Sequence, residues 1–377
     1  MFLYLLSYIS CFVLGISKQR YNKVISFTLL VFLAVFLCFG YFCGSDWRNY
    51  ELWYYRVDLE RLFYNYFAEP GYYIYMLVFR FFDIDFWHFT IFTKLWCFVS
   101  FYSMLYYYLK ERVWLGLMYF VPWYGFFLFI DCPFRNLIAV AIFLIAIHFF
   151  IQRKVILSLL LILIASTFHV STIIFLPCIF FVGKKVPTKI WVLLYILFNI
   201  FLGSRELLTN VLSSLFGNLP YVSAKIQGYL LDESEAAAGG SLFSLGMLIQ
   251  LVFFILLIWK RQVIERHKNG IFIFNFAMIY QLFYRIALTI ELFSRFQLFT
   301  SVFFCIALIM LLQAFKPSSQ KLYLVYLLCI ASVGTTKLFA DNRYIPYTSY
   351  IPYMFQTEQP SYEYRSQYNY MHSPYNK

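Results

Sequence analysis

An all-α bundle of membrane-spanning helices is the fold class this sequence predicts, and three observations predict it. Apolar residues make up 62% of the 377 positions and charged residues only 13%, with a mean hydropathy of +0.71. Water cannot be the solvent for most of such a surface. Apolar runs close to the ~20 residues that a spanning helix needs recur along the whole chain. Lys and Arg, which give a formal charge of +12, fall in short clusters between those runs and form no single patch, so topology explains them better than a nucleic-acid partner does.

The apolar runs lie near 2–16, 24–43, 86–109, 113–130, 136–151, 188–203, 242–259, 271–290, 296–315 and 321–339. Two stretches depart from a simple span. Residues 70–82 are half-length and follow Glu69-Pro70-Gly71, where proline suits a first helical turn, and they read as a re-entrant or tilted helix. Residues 155–182 are too long for one span and read as a shallow hairpin with Phe168-His169-Val170-Ser171 at its tip, between Arg153-Lys154 and Lys184-Lys185. The expected total is about eleven or twelve membrane segments in one domain over 1–339. A polar, Tyr-rich tail follows over 340–377, expected to start along lipid headgroups and to end disordered. The aromatic content of 24% suits outer faces in lipid and rims of Tyr and Trp at headgroup depth.

The first run starts at Met1 with no positive segment before it, so no cleavable signal is expected. Basic residues in 17–23, 110–112, 152–154, 183–189, 260–270 and 316–321 account for roughly 16 of the 30 Lys and Arg, with only Glu111 and Glu265 as acids. By the positive-inside rule these loops are cytoplasmic. The outer side then holds loops 44–69 and 204–241, a turn at 131–135, the tip at His169 and the junction 285–295. Asp232-Glu233-Ser234-Glu235 in the second loop reads as a solvated charge run. The eight cysteines are scattered, with neither a C-x-x-C pair nor Cys and His at metal-ligand spacing.

Ionisable groups at a membrane boundary are costly unless paired, hydrated or used. Arg135 opens an apolar run at Pro133-Phe134-Arg135-Asn136-Leu137, where free N–H groups and the helix dipole also favour an anion. Arg285 and Arg295 stand near the outer ends of two consecutive runs with Glu291 between them. Guanidinium groups grip phosphate oxygens bidentately, and salt bridging to Glu291, Glu69 or Asp131 is the structural alternative. His169 could move a proton or cap a broken helix. Glu69 and Asp46 could each act as base or sugar-hydroxyl ligand, with helix capping as the rival for both.

The order of these motifs is more specific than any one of them. Gly44-Ser45-Asp46-Trp47-Arg48-Asn49-Tyr50, Glu69-Pro70-Gly71-Tyr72, Phe134-Arg135-Asn136-Leu137-Ile138-Ala139, Arg153-Lys154 and Phe168-His169-Val170-Ser171 follow one another. In this the chain resembles the EpsG-like family of Wzy-type polysaccharide polymerases, over roughly residues 40–180 and more weakly through Leu292-Phe293-Ser294-Arg295-Phe296 and Ile345-Pro346-Tyr347. Asn136 departs from the family, which often has Gln there. The resemblance implies a GT-C-like polymerase architecture in a bacterial inner membrane and an active site on the periplasmic side. It also implies undecaprenyl-diphosphate-linked oligosaccharides as donor and acceptor, with a chain-length regulator as a further partner.

Breaking a sugar–diphosphate bond builds negative charge that arginines at a low-dielectric boundary stabilise, so the expected reaction is inverting glycosyl transfer without metal or other cofactor. Arg135 and Arg295 are the expected diphosphate clamps and Arg285 an auxiliary. Glu69, His169 or Asp46 is the expected base or acceptor-positioning group. Two rival readings are a lipid-linked glycan flippase or other transporter, and a glycosyltransferase that adds one sugar from a polyprenyl monophosphate. Clear inverted repeats and charged residues in mid-span would favour the former, and only isolated Lys94 and Arg80 stand inside or beside apolar runs. An acid in the first outer loop, where Asp46 stands, would favour the latter.

Overall fold

The structure is a computed structural model that describes residues 1–58, 69–201, 204–216, 244–289, 292–356 and 358–373. Among these residues every regular element is a helix, apart from one isolated antiparallel bridge between Gly40 and Ser349. Helices satisfy each backbone polar group within their own segment, which is what a lipid solvent requires. Phe134–Ile151, Gly270–Thr289 and Phe293–Ala314 are long and apolar enough to cross a membrane, and Phe2–Ile16, Lys23–Cys38, Val155–Phe168 and Leu245–Trp259 are among the shorter apolar helices. The chain packs as two units, Met1–Val170 with Pro317–Lys377, and Ser171–Lys316.

The first unit opens with α1 (Phe2–Ile16) and α2 (Lys23–Cys38), the latter capped by Asn22, whose Oδ1 accepts the N–H groups of Val24 and Ile25. The second expected span reaches only Cys38, not residue 43. Beyond it the backbone turns extended and pairs with the segment after residue 342. There Tyr41 N–H donates to Thr348 O at 3.0 Å, Tyr350 N–H to Phe39 O at 2.7 Å and Gly44 N–H to Arg343 O at 2.6 Å. Next come α3 (Trp47–Arg56) and α4 (Pro70–Phe81), with its proline in the first turn. Ile74, Val78 and Phe81 form an exposed apolar stripe on α4, while Tyr72 and Met76 are buried on the opposite face.

Helix α5 (Phe86–Leu109) is capped by Asp85, which accepts the N–H groups of Trp87 and His88. Helix α6 (Val113–Phe120) continues through two π-helical turns, Val121–Gly125 and Phe127–Asp131, so the expected 113–130 span is not regular. Pro122 contributes no N–H there, and the wider turns accommodate it. Helices α7 (Phe134–Ile151) and α8 (Val155–Phe168) follow and pack on each other. The chain breaks at His169 between α8 and a 3-10 turn, Val170–Ile174, within the segment where a break was expected.

The second unit contains α9 (Phe175–Val182), α10 (Thr188–Ile196), α11 (Arg205–Phe216), α12 (Leu245–Trp259), α13 (Arg261–Glu265), α14 (Gly270–Thr289) and α15 (Leu292–Met310). The expected outer loop 204–241 thus begins as a helix, and its acidic run Asp232–Glu235 lies outside the described residues. Helices α14 and α15 lie side by side with Tyr280 stacked on Phe304 at 4.1 Å and Phe276 on Phe303 at 4.6 Å. Buried amides tie their neighbours in: Gln281 donates to Gln250 Oε1 at 2.9 Å, and Asn275 to the carbonyl of Val182 at 2.6 Å.

The chain rejoins the first unit with α16 (Pro317–Thr336) and ends in α17 (Tyr362–Met371). The end of the tail was expected to be disordered, but up to residue 373 it is folded onto α3. Polar contacts explain why so polar a segment is ordered: Arg48 Nη2 donates to Ser366 O at 2.9 Å and Asn369 Nδ2 to Asn342 O at 2.9 Å, and a buried guanidinium adds an ion pair. Arg365 Nη1 donates to both carboxylate oxygens of Glu51 at 3.0 and 2.9 Å, each side chain less than 10% exposed. The Trp47, Trp87, Tyr41 and Tyr362 rings stand 5.5–6.0 Å from the guanidinium. Many tyrosines also lie inside and not at rims: Tyr4, Tyr8, Tyr41, Tyr54, Tyr72 and Tyr350 are almost fully buried. Several of their hydroxyls find acceptors that offset such burial: Tyr4 donates to Tyr344 O at 2.7 Å, Tyr54 to Ile84 O at 2.6 Å and Tyr41 to Gln359 Oε1 at 2.7 Å.

Candidate functional site

Three of the six residues singled out from the sequence meet in the first unit: Glu69, Arg135 and His169. Each sits at a helix end. Glu69 immediately precedes Pro70 at the start of α4, Arg135 is the second residue of α7, and His169 ends α8. Glu69 Oε1 accepts the His169 Nδ1–H at 2.7 Å and the Val170 N–H at 3.2 Å. Its Oε2 lies 3.0 Å from Arg135 Nη1. The Arg135 Nε–H donates to the Tyr50 hydroxyl at 3.3 Å, and the guanidinium stands 5.5 Å from the Trp53 ring.

Local sequence explains how these ends come so close. A Cβ on Gly71 would fall 2.2 Å from Thr167 Oγ1 and 3.0 Å from the Phe168 ring, so only glycine lets the start of α4 rest on the end of α8. That contact carries Glu69 to His169. Pro70 fits the first turn of α4, and the carboxylate of Glu69 makes no capping bond to its own helix. Capping therefore does not account for this acid. Gly44, at φ +85°, presses on the Ile130 and Asp131 backbone in a conformation suited to glycine. Asp131 fastens the same turn, accepting the Ser45 N–H at 2.8 Å and hydroxyl at 2.9 Å while pairing with Arg343 at 3.1 Å.

Electrostatically the cluster is built around an ionised carboxylate. Burial pushes the Glu69 carboxyl up, but the hydrogen bond and charge of His169, the charge of Arg135 and the Val170 N–H outweigh it and hold the group below its usual range. Glu69 and His169 are both 4% exposed, whereas the Arg135 side chain is 28% exposed. Arg135 is thus the member that faces outward, with Nη1 on Glu69 and Nε on Tyr50. A carboxylate on Nδ1–H fixes the imidazole tautomer and leaves Nε2 as the basic edge of the ring.

Asp46 does not join this cluster through any hydrogen bond described. It stands at the N-terminus of α3, one turn before Tyr50, and its side chain makes no capping bond to the helix; Ser45 Oγ approaches it at 3.5 Å. Arg285 and Arg295 belong to the second unit, on α14 and α15, with Arg285 buried. Glu291, their expected counterion, lies outside the described residues. Among the described residues no group of three His, Cys, Asp or Glu is placed to hold a metal ion.

Two further groups beside Arg135 were not singled out as ligands. The Asn136 amide is 2% exposed, and neither its oxygen nor its nitrogen has a hydrogen-bond partner among the described residues; the same holds for the hydroxyl of fully buried Tyr72. Such groups are expensive to leave unpaired. Tyr50 and Trp53 were missed as partners of Arg135. Their i, i+3 spacing, which puts both rings on one face of α3, was the available signal.

No curated protein and no solved structure matches the chain. The pattern of the EpsG family does match, from residue 23 to residue 354, and this covers both units and every residue of the cluster. The chain belongs to the EpsG family.

Proposed function

We propose that this chain polymerises a surface polysaccharide by joining oligosaccharide repeat units carried on undecaprenyl diphosphate, on the outer side of the bacterial inner membrane. The observation that carries this reading is a buried, ionised carboxylate held between an imidazole and a partly exposed arginine at three helix ends. Family membership supports polymerase-type chemistry, and the cluster supplies the groups such chemistry needs.

In the proposed reaction the acceptor hydroxyl oxygen attacks the anomeric carbon of the donor. The new C–O bond forms as the bond to the diphosphate breaks, and the electron pair leaves on the diphosphate oxygen. Arg135, with the N-terminal N–H groups of α7 behind it, meets that developing charge. The hydroxyl proton goes to a base. Glu69, held below its usual range, is a weak proton acceptor, so His169 Nε2 takes the proton while Glu69 orients the ring and stabilises the imidazolium. A single displacement of this kind inverts the anomeric configuration. Phosphate binding by Arg295 and Arg285 and an acceptor-side role for Asp46 are proposals that rest on the sequence motifs alone.

A strain deleted for the gene, complemented in turn with wild type, His169→Asn, Arg135→Gln and Asp46→Asn, tests the proposal by gel analysis of surface glycan. Loss of long chains with a single capped repeat unit retained is the expected phenotype of the deletion and of the first two variants. Complete loss of glycan would favour a flippase. Long chains from a normally inserted Arg135→Gln protein would remove the diphosphate-clamp role.

A further inference from the structure

The opposite ends of α2 and α5, away from the residues that lead into the Glu69 cluster, carry a second arrangement of cations. Arg20, Lys23 and Lys110 line one half-open cavity of about 350 Å³ together with Tyr106 and Trp114, and Glu111 is the one acid on its wall. Three cations against one anion leave this cavity positive. It also lies at the N-terminus of α2, which adds partial positive charge, and Ser26 of the first turn lines it.

Two of the three cations are held by contacts. Arg20 donates from Nη1 to Gly15 O at 3.0 Å and from Nη2 to the Tyr21 hydroxyl at 3.1 Å, while its buried Nε has no partner among the described residues. Lys110 Nζ stands 5.3 Å from the Tyr106 ring and 5.7 Å from the Tyr107 ring. Apolar surface continues directly from the cavity mouth. On α2, Val24, Phe27 and Val31 are exposed, and on α5 so are Val99 and Tyr106.

We propose that this cavity binds the phosphate headgroup of an anionic phospholipid, with the acyl chains lying along the exposed faces of α2 and α5. A phosphate ester is the shared chemistry of a lipid headgroup and free phosphate. The hydrophobic faces that flank the mouth select the lipid, because inorganic phosphate gains nothing from them. Basic pockets between helices at a membrane surface hold such headgroups, with each cation contributing to affinity, and tyrosines suit the interfacial depth. This site does not depend on the proposed reaction, since none of its residues belongs to the Glu69 cluster.

The test is thermal unfolding and native mass spectrometry of the purified full chain in detergent, titrated separately with phosphatidylglycerol, phosphatidylcholine and inorganic phosphate. Phosphatidylglycerol should bind saturably and raise the melting temperature, while phosphatidylcholine should do neither. The Arg20→Gln, Lys23→Gln, Lys110→Gln triple variant should lose roughly a hundredfold in affinity for it. Lys18→Gln, which neutralises a neighbouring charge outside the cavity, should keep wild-type affinity. An equal response to phosphatidylcholine, or unchanged affinity in the triple variant, would overturn the site. Inorganic phosphate matching the lipid would overturn the assignment to a lipid headgroup.

Discussion

The first unit contains two buried Glu–Arg pairs on neighbouring elements, and they are built for different ends. In the Glu51–Arg365 pair one guanidinium nitrogen bonds both oxygens of one carboxylate, aromatic rings surround it, and each partner is under 10% exposed. In the Glu69–Arg135 pair the carboxylate is shared with His169 and Val170, and the arginine keeps 28% of its side chain exposed. The first arrangement closes on itself and fastens the C-terminal tail to α3. The second is open on one side, which is what a site that must receive an anion requires. Because α3 also carries Tyr50 and Trp53 to Arg135, the closed pair supports the open one.

The largest expected effect separates the two. Arg135→Gln should lower polymerisation per molecule by about a hundredfold or more, as removal of a preorganised charge stabiliser does, with normal amounts of protein in the membrane. Arg365→Ala should instead cost about 3–5 kcal/mol of stability by stranding Glu51, read as lower abundance and melting temperature. Replacing both partners sharpens the contrast. Glu51→Leu with Arg365→Met should recover most of the lost stability and retain activity, because apolar residues can substitute for a closed buried pair. Glu69→Leu with Arg135→Met should be inactive however stable it is.

An intermediate effect is expected at Gly71. Gly71→Ala forces α4 away from Thr167, lengthens the Glu69–His169 contact and should lower activity about tenfold to a hundredfold, in line with the cost of misplacing a catalytic group by an ångström. Thr167→Ala in the same chain removes the nearest clashing atom and should restore part of the loss.

The pH profile gives a subtler test. A carboxyl held below its usual range is ionised, and its stabilising contacts are complete, above its unfolded-state pKa. That contribution to stability is lost as pH falls through the lowered folded-state value. Arg135 is one of the groups that lower it. The melting temperature of Arg135→Gln should therefore begin to fall at a higher pH than that of wild type as the solution is acidified. The smallest effect is expected at Asn136. Asn136→Leu removes an unpaired buried amide and should raise stability by about 1–2 kcal/mol, yet lower activity if the amide binds substrate, measured as a rise in KM.

Much of the site was legible because its determinants are local. A proline at a first turn, a glycine where two helix ends touch, an arginine opening an apolar helix and a histidine among small polar residues each announce a helix end, and all four signals lie in short motifs. The choice among the acids was not legible, since Glu69 and Asp46 both precede helices and only the packing of α4 on α8 brings one of them to His169. The role of Tyr50 was hidden for the same reason, because the pose of α3 depends on Arg365, more than three hundred residues later. The end of α2 at Cys38 was equally hidden: residues 39–44 are apolar enough to continue a span, and their extended pairing with 343–350 is a long-range contact that hydropathy does not encode. The ordered tail is a further case, since its polar composition reads as disorder until Glu51 is supplied as a partner.

The central claim is that the open Glu69–Arg135–His169 cluster performs the transfer. The most direct measurement is the rate of polymer formation from purified undecaprenyl-diphosphate-linked repeat units by wild type and by His169→Asn, each folded and monodisperse in the same detergent. The account predicts a loss of about a hundredfold or more for His169→Asn, with substrate binding retained. A wild-type rate from His169→Asn would contradict it.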